Sequence, residues 1–208
     1  MENQNTMLTF EVTSGELVIS DPCYEVPTWC AGTVKAKNGT WGVDYQTDDM
    51  GDRITEIWAY SLDAAVNRPH IPDELPQAPP LPFINGVDSG QLGYFDRNHY
   101  RNNDSARELA KHDFGEGYDR EPGDEWYRAA CAITLSKESF GVMPHGVVSS
   151  SGWGDGSYNT QGIFNEDGEC IGLRTVFIED DYTDDEDDWW NEEETPEEDD
   201  DEDNDEDK

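Results

Sequence analysis

Tyr158-Asn-Thr-Gln-Gly-Ile-Phe164 and Cys170-Ile-Gly-Leu-Arg-Thr-Val-Phe-Ile178 are the two segments that decide the fold. The turn-forming residues Asn165-Glu-Asp-Gly168 separate them. In the second segment, apolar side chains at 171, 173, 176 and 178 give a broken alternation that is typical of a largely buried strand. The pair therefore predicts a β-hairpin within a domain built mainly of antiparallel strands.

Further strand-like segments lie on the N-terminal side of this hairpin. These segments are Met7–Val12, Glu16–Ser20 and Ile54–Tyr60, and a short turn, Thr13-Ser14-Gly15, separates the first two. Thr33–Lys37 and Thr40–Tyr45 alternate with period two on either side of Asn38-Gly39. Because Asn-Gly readily takes the positive φ angles of a type I′ turn, we predict that these two segments pair as a hairpin.

Three segments depart from the strand pattern. Asn103–His112 is the best helix candidate, with Asn103 or Asp104 as its N-cap. Glu125–Leu135 combines alanines, which favour helix, with a strand-like end, and we predict a strand there. Residues 69–82 contain six prolines, which predict an extended connector across the surface.

These patterns predict an α+β, β-dominated fold: an antiparallel sandwich or partly open barrel with one short helix. We expect residues 1–178 to form one globular domain that includes the proline-rich connector at 69–82. Residues 179–208 contain 21 acidic residues and one lysine, out of a net charge of −36 for all 208 residues. Such a segment repels itself and has little to bury, so we expect a disordered polyanionic tail.

The body of the chain is acidic as well, with 28 acidic against 12 basic residues at positions 1–178. Direct binding to nucleic acid or to an anionic membrane is therefore disfavoured, because both need clustered lysines and arginines. Met1–Thr6 does not resemble a signal peptide, and no apolar run approaches the roughly 20 residues that span a bilayer. We therefore expect a cytoplasmic protein whose four cysteines are reduced.

Three short stretches place an acid beside a hydroxyl, a thiol or a glycine-rich turn. If they converge, Asp21, Asp88 and Asp155 would offer oxygen ligands to Mg²⁺ or Ca²⁺, and the glycines near Asp155 would let backbone amides approach a ligand. Ordinary turn composition explains each stretch equally well. The candidate pocket consists of Asp21, Cys23, Tyr24, Asp88, Ser89, Gln91, Trp153, Asp155 and Ser157.

No catalytic residue is assigned, because no local pattern links a nucleophile to a base. No local motif pairs Cys23 with any of the four histidines. Gly152–Gly156 has an aspartate at the position where the Gly-x-Ser-x-Gly nucleophile elbow of hydrolases has its serine. The cysteine spacing fits no zinc site. We predict no cofactor beyond the hypothetical Mg²⁺ or Ca²⁺.

The same three stretches resemble an uncharacterised family of small proteins from bacteria and their phages. The matching motifs are Asp-Pro-Cys-Tyr at 21–24, Asp-Ser-Gly-Gln at 88–91 and Ser-Ser-Ser-Gly-x-Gly-Asp-Gly-x-Tyr at 149–158. Thr28–Gly32, leading into Lys37–Trp41, is also similar. The resemblance implies one fold unit over most of residues 10–178 and a bacterial or phage origin. It implies no activity, and the tail and the proline-rich segment depart from the family pattern.

The charge favours a non-enzymatic interaction protein that binds and inhibits a basic, nucleic-acid-binding host protein. The resemblance to a bacterial and phage family implies that a phage could encode it. An extended tail, at about 3.3 Å per residue, would carry one carboxylate every ~5 Å, and a helical tail one every ~2 Å. These spacings bracket the ~3.4 Å between charges of single-stranded DNA. The residues expected to contact the partner are Asp184, Asp185, Glu186, Asp187, Asp188, Trp189, Trp190, Glu192, Glu193 and Glu194.

Three other interpretations stay open at this point. The protein would act by the same charge complementarity if it were an immunity or antitoxin-like protein against a basic toxin. It would be a small-ligand or divalent-metal-binding protein, or a metal-dependent enzyme, if Asp21, Asp88 and Asp155 formed a site. The tail would be a passive solubility extension if it had no partner.

Overall fold

The computed structural model describes residues 7–28, 31–106 and 125–179. Within these residues, eleven strands form two antiparallel sheets of six and five strands. The first sheet has the order β1 (Leu8–Val12), β4 (Gly39–Thr47), β5 (Ile54–Ser61), β11 (Cys170–Val176), β10 (Gly156–Phe164), β6 (Pro80–Val87). The second has the order β3 (Gly32–Lys35), β2 (Glu16–Ser20), β7 (Gln91–Asp96), β9 (Gly146–Ser150), β8 (Phe140–Met143).

The main core lies between the two sheets. Trp41 and Leu173 reach it from the first sheet, and Leu17, Tyr94 and Val147 reach it from the second. The Tyr94 hydroxyl pairs with that of Thr175, so the polar group in this layer is satisfied. The β-dominated sandwich predicted from the sequence is confirmed, and so is the β10–β11 hairpin, in which Thr160 faces Thr175.

The predicted hairpin around Asn38-Gly39 is wrong. β3 pairs with β2 in the second sheet, whereas β4 pairs with β1 and β5 in the first, so the chain crosses between sheets at this turn. Period-two alternation gives each strand a buried face, but it does not say which sheet the strand joins. Here Trp41, which is fully buried, fixes β4 in the first sheet, and its indole N–H donates to the carbonyl of Lys37 (2.9 Å).

Short helices cover the outer faces of both sheets. α1 (Leu62–Asn67), α2 (Ile71–Glu74) and a 3₁₀ turn (Leu75–Gln77) lie on the first sheet, where Ile71 and Leu75 are buried. The segment 69–82 is therefore not extended over its whole length, since helical turns occupy its middle and β6 begins at Pro80. Two of its six prolines, Pro72 and Pro76, stand in the first turns of these helices, where a missing N–H costs nothing.

α4 (Glu125–Thr134) lies where we predicted a strand, so that prediction is wrong. Trp126, Ala129 and Ala130 are buried at helical spacing and pack on the outer face of the second sheet. Alanine has the highest helix propensity, and here it also lets the helix approach the sheet closely. α3 (Asn103–Ala106) begins the predicted helix at 103–112, whose remainder lies outside the described residues. The fold thus has several short helices where we expected one.

Glu179, the first residue of the predicted tail at 179–208, is the last described residue, so residues 180–208 lie outside the described part of the chain. In the part that is described, no helix has both the length and the apolar composition needed to cross a membrane.

Candidate functional site

Asp21 is a fully buried carboxylate directly after β2. Its Oδ2 accepts hydrogen bonds from the backbone N–H groups of Asp88 (2.9 Å) and Ser89 (2.7 Å). Its Oδ1 accepts from the Ser89 hydroxyl (2.6 Å) and from the backbone N–H of Cys23 (2.9 Å). A buried charge is tolerated when it is hydrogen-bonded in this way, so Asp21 ties the first sequence motif to the second.

The third motif, residues 149–158, lies next to the second motif, residues 88–91, because β9 and β7 are neighbours in the second sheet. Gln91 of β7 faces Ser150 of β9, and the backbone N–H of Ser151 donates to the carbonyl of Gly90 (3.0 Å). Gly90 has a φ of 69°, and a Cβ there would lie 3.9 Å from the Cα of Gly154. The three stretches singled out in the sequence are therefore brought together.

The convergence does not produce the cation site that we considered. The Asp21 oxygens already accept four protein hydrogen bonds, and Asp88 and Asp155 have exposed side chains. Among the described residues, which include all three aspartates, no group of three or more His, Cys, Asp or Glu side chains could hold a metal ion. The hydrogen bonds of Asp21 therefore hold the turn after β2 against the turn at residues 88–89 and leave no open position for a metal ion.

The glycine-rich loop presents its side chains to the outside. Trp153 is 67% exposed, and the Arg53 guanidinium lies 4.1 Å from its ring centroid, within range of a cation–π contact. Asp155 and Ser157 are exposed as well. The Tyr158 hydroxyl donates to the carbonyl of Gly154 (2.8 Å) and holds the loop against the domain. Trp153, Asp155 and Ser157 thus form part of the surface and not of a pocket around Asp21.

The thiol of Cys23, beside Asp21, is not suited to nucleophilic chemistry. Burial, with the neighbouring Asp21 carboxylate, raises the pKa of Cys23 to about 12. Cys131 is buried and accepts a weak hydrogen bond from the Gln91 amide (3.5 Å). A thiol becomes a nucleophile as the thiolate, which the surroundings of Cys23 disfavour. Cys23, Cys131 and Cys170 are free cysteines, and Cys30 lies outside the described residues.

Two histidines stack on each other in a different part of the molecule. The rings of His99 and His145 are 3.5 Å apart at their centroids and nearly parallel. Burial and then the charge of His145 lower the pKa of His99. Within the described residues, no hydrogen bond joins either histidine to Cys23, and His112 lies outside them.

Asp96 is a second buried carboxylate, and sequence reasoning missed it. It ends β7 and accepts from the backbone N–H groups of Thr13 (2.5 Å), Ser14 (2.8 Å) and Asn98 (3.0 Å). Burial alone would raise the pKa of Asp96, but these backbone donors outweigh it and the pKa lies below its ordinary value. Asp96 is the last residue of an apolar strand, as Asp21 is the first residue after one, and that position was the available signal.

The described part of the protein has a strongly acidic surface. Its residues include 22 acidic and nine basic ones, so an excess of 13 negative charges would remain even if every base neutralised one acid. Several cations are also engaged internally. These contacts are Arg174–Glu56, Arg68–Glu74, Lys35–Glu169, Arg53 over Trp153, and Arg101 to the carbonyls of Pro22 and Cys23.

Comparison with known proteins identifies no relative of this chain. No protein family matches the sequence, and neither a curated protein nor a solved structure is significantly similar to it. The resemblance of the three motifs to a bacterial and phage family therefore stays a prediction.

Proposed function

We propose that this protein is a non-enzymatic acidic interaction protein that binds and inhibits a basic, nucleic-acid-binding protein by presenting nucleic-acid-like charge. The observation that carries the proposal is the excess of 13 negative charges on the described residues, to which residues 180–208 add 20 further acids. A surface of one sign steers an oppositely charged partner towards it and disfavours association with anionic molecules. The cytoplasm of a bacterial host is the compartment that we propose.

The position of Glu179 supports a continuous binding surface. The preceding residues pack against the glycine-rich loop, since a Cβ on Gly152 would lie 2.9 Å from both the Phe177 Cβ and the Ile178 Cγ1. The chain therefore reaches its last described residue beside the loop that carries Trp153. The acidic tail would begin next to an exposed aromatic ring on the domain.

The turn between β4 and β5 extends this surface. Arg53 of that turn contacts Trp153, and Met50 at its tip is 82% exposed. Asp48 accepts from the backbone N–H of Asp52 (2.8 Å), which fixes the turn without using a cation. An exposed methionine and tryptophan beside carboxylates provide apolar anchors within a field of negative charge, a combination that suits a basic partner.

A basic toxin is one class of partner with the required chemistry, and an immunity or antitoxin-like role would then follow. The electrostatic mechanism would be the same for a basic toxin as for a nucleic-acid-binding host protein. The two roles differ in the identity of the partner and not in the binding surface.

The proposal is tested by titration calorimetry against a basic nucleoid protein at about 50 and about 200 mM salt. We expect the full-length chain to bind at the lower salt concentration and to lose affinity by at least tenfold at the higher one, because ion pairs with a polyanion are screened by salt. Deletion of residues 179–208 should weaken binding at low salt by tenfold or more. Equal affinities with and without those residues would contradict the role given to the tail.

A further inference from the structure

A cavity of about 330 Å³ lies beside the turn that Asp21 organises, outside the acidic surface just described. Arg97 and Arg101 both line it, in a protein that has few bases. The other lining residues are Glu25, Val26, Tyr100, Asn103, Trp126 and Tyr127. The volume lies within the range of small-molecule sites, which combine aromatic walls with a few placed polar groups.

The wall of this cavity is held by hydrogen bonds from Tyr100 and Arg101. The Tyr100 hydroxyl donates to the carbonyls of Tyr24 (2.6 Å) and Asp21 (3.2 Å). Arg101 Nη1 donates to the carbonyls of Pro22 and Cys23 (2.9 Å each). Arg101 also has a φ of 57°, a conformation that non-glycine residues seldom adopt and that is often found at functional sites.

Arg97 is the group that points to a ligand. Its backbone N–H donates to the Glu16 carbonyl (3.1 Å) and to the Ser14 hydroxyl (3.2 Å), so the position of the residue is fixed. Among the described residues, no hydrogen bond or ion pair engages its guanidinium. An arginine in so acidic a protein has many carboxylates available, yet this one faces the cavity, where Glu25 is the only carboxylate of the described lining.

We propose that this cavity binds a small anion through a carboxylate or phosphate group held by Arg97, with Arg101 adding positive charge. Guanidinium groups match the geometry of both anions and make charge-assisted hydrogen bonds to them. Trp126 and Tyr127 would contact the remainder of the ligand. The site is independent of the acidic tail and would act whether or not the tail has a partner.

Nuclear magnetic resonance tests this proposal on the full-length chain. Inorganic phosphate and succinate are titrated separately at constant ionic strength while the indole N–H resonances of Trp126 and Trp153 are followed. Trp126 lines the cavity, whereas Trp153 is an exposed residue of the glycine-rich loop and serves as an internal control. We expect a saturable shift at Trp126 with at least one of the two anions, and the stronger of the two identifies the preferred group.

Arg97→Gln is the decisive variant. Its matched control is Lys137→Gln, which also removes one positive charge, at an exposed position after the end of α4. Loss of Arg97 should weaken the binding by roughly tenfold or more, because a charge-assisted hydrogen bond is lost. Lys137→Gln should leave the binding unchanged. The dispersion of the backbone spectrum shows whether each variant is folded. The proposal is overturned if neither anion gives a saturable shift at Trp126, or if the folded Arg97→Gln protein binds as tightly as the unsubstituted one.

Discussion

Asp21→Asn should destabilise the domain by about 2–4 kcal/mol, since this substitution keeps the shape of the side chain and removes its charge. The carboxylate accepts four hydrogen bonds from Cys23, Asp88 and Ser89. An asparagine amide can accept at one end only, so its NH₂ group must face a former donor. The least costly orientation places NH₂ at the Oδ1 position, where the Ser89 hydroxyl can turn to accept and the Cys23 N–H loses its partner.

The free energy of unfolding is measured by urea denaturation of the full-length chain and of the variant at pH 7. The m-value should be unchanged, so that the shift of the midpoint reports stability alone. Asp88→Asn is the matched control, because Asp88 has an exposed side chain and takes part in the network through its backbone N–H. The control should change stability by no more than about 0.5 kcal/mol. An equally small effect of Asp21→Asn would refute the structural role assigned to this carboxylate.

Three further predictions concern Asp96, Trp41 and Cys23. Because folding lowers the pKa of Asp96, this carboxylate stabilises the protein fully above its ordinary pKa, and the stabilisation is lost as the pH falls through the pKa of the folded state. Urea titrations between pH 5 and 2 should therefore show that Asp96→Asn loses less stability on acidification than the unsubstituted protein does. Trp41→Ala should cost about 3–5 kcal/mol in the same assay, since the indole is fully buried between the sheets. With its pKa raised to about 12, the thiol of Cys23 is ionised in roughly one molecule in ten thousand at pH 8. Mass spectrometry of the Cys23 peptide should therefore show that iodoacetamide labels this thiol orders of magnitude more slowly than a free thiol. Labelling at the rate of a free thiol would contradict the prediction.

Local patterns predicted much of the fold. The β10–β11 hairpin has a polar turn between two apolar segments, and its strands pair as that pattern requires. The sheet membership of β3 and β4 was not predictable in this way, because it depends on how Trp41 packs against residues distant in sequence. α4 was missed for a related reason: its alanines favour a helix and its C-terminal end favours a strand, and packing on the second sheet selects the helix.

The candidate site was predicted only as a set of motifs. The sequence indicated that Asp21, Asp88 and the glycine-rich loop are unusual, and the structure brings them together. The sequence could not show that Asp21 is hydrogen-bonded to backbone N–H groups 67 and 68 residues away. These bonds occupy the positions on its oxygens that a cation would need. The cavity beside Arg97 depends on such long-range contacts as well, so no local pattern revealed it.

The central claim is that the protein competes with nucleic acid for a basic partner through its negative charge. The most direct measurement is the displacement of a fluorescent single-stranded oligonucleotide from a basic nucleoid protein, followed by anisotropy. The matched variant replaces the aspartates and glutamates of residues 184–188 and 192–194 by asparagine and glutamine, which keeps the length of the tail and both of its tryptophans. We predict that the unsubstituted chain displaces the oligonucleotide at concentrations at least tenfold lower than the variant. Equal displacement by the two proteins, or none by either, would contradict the account.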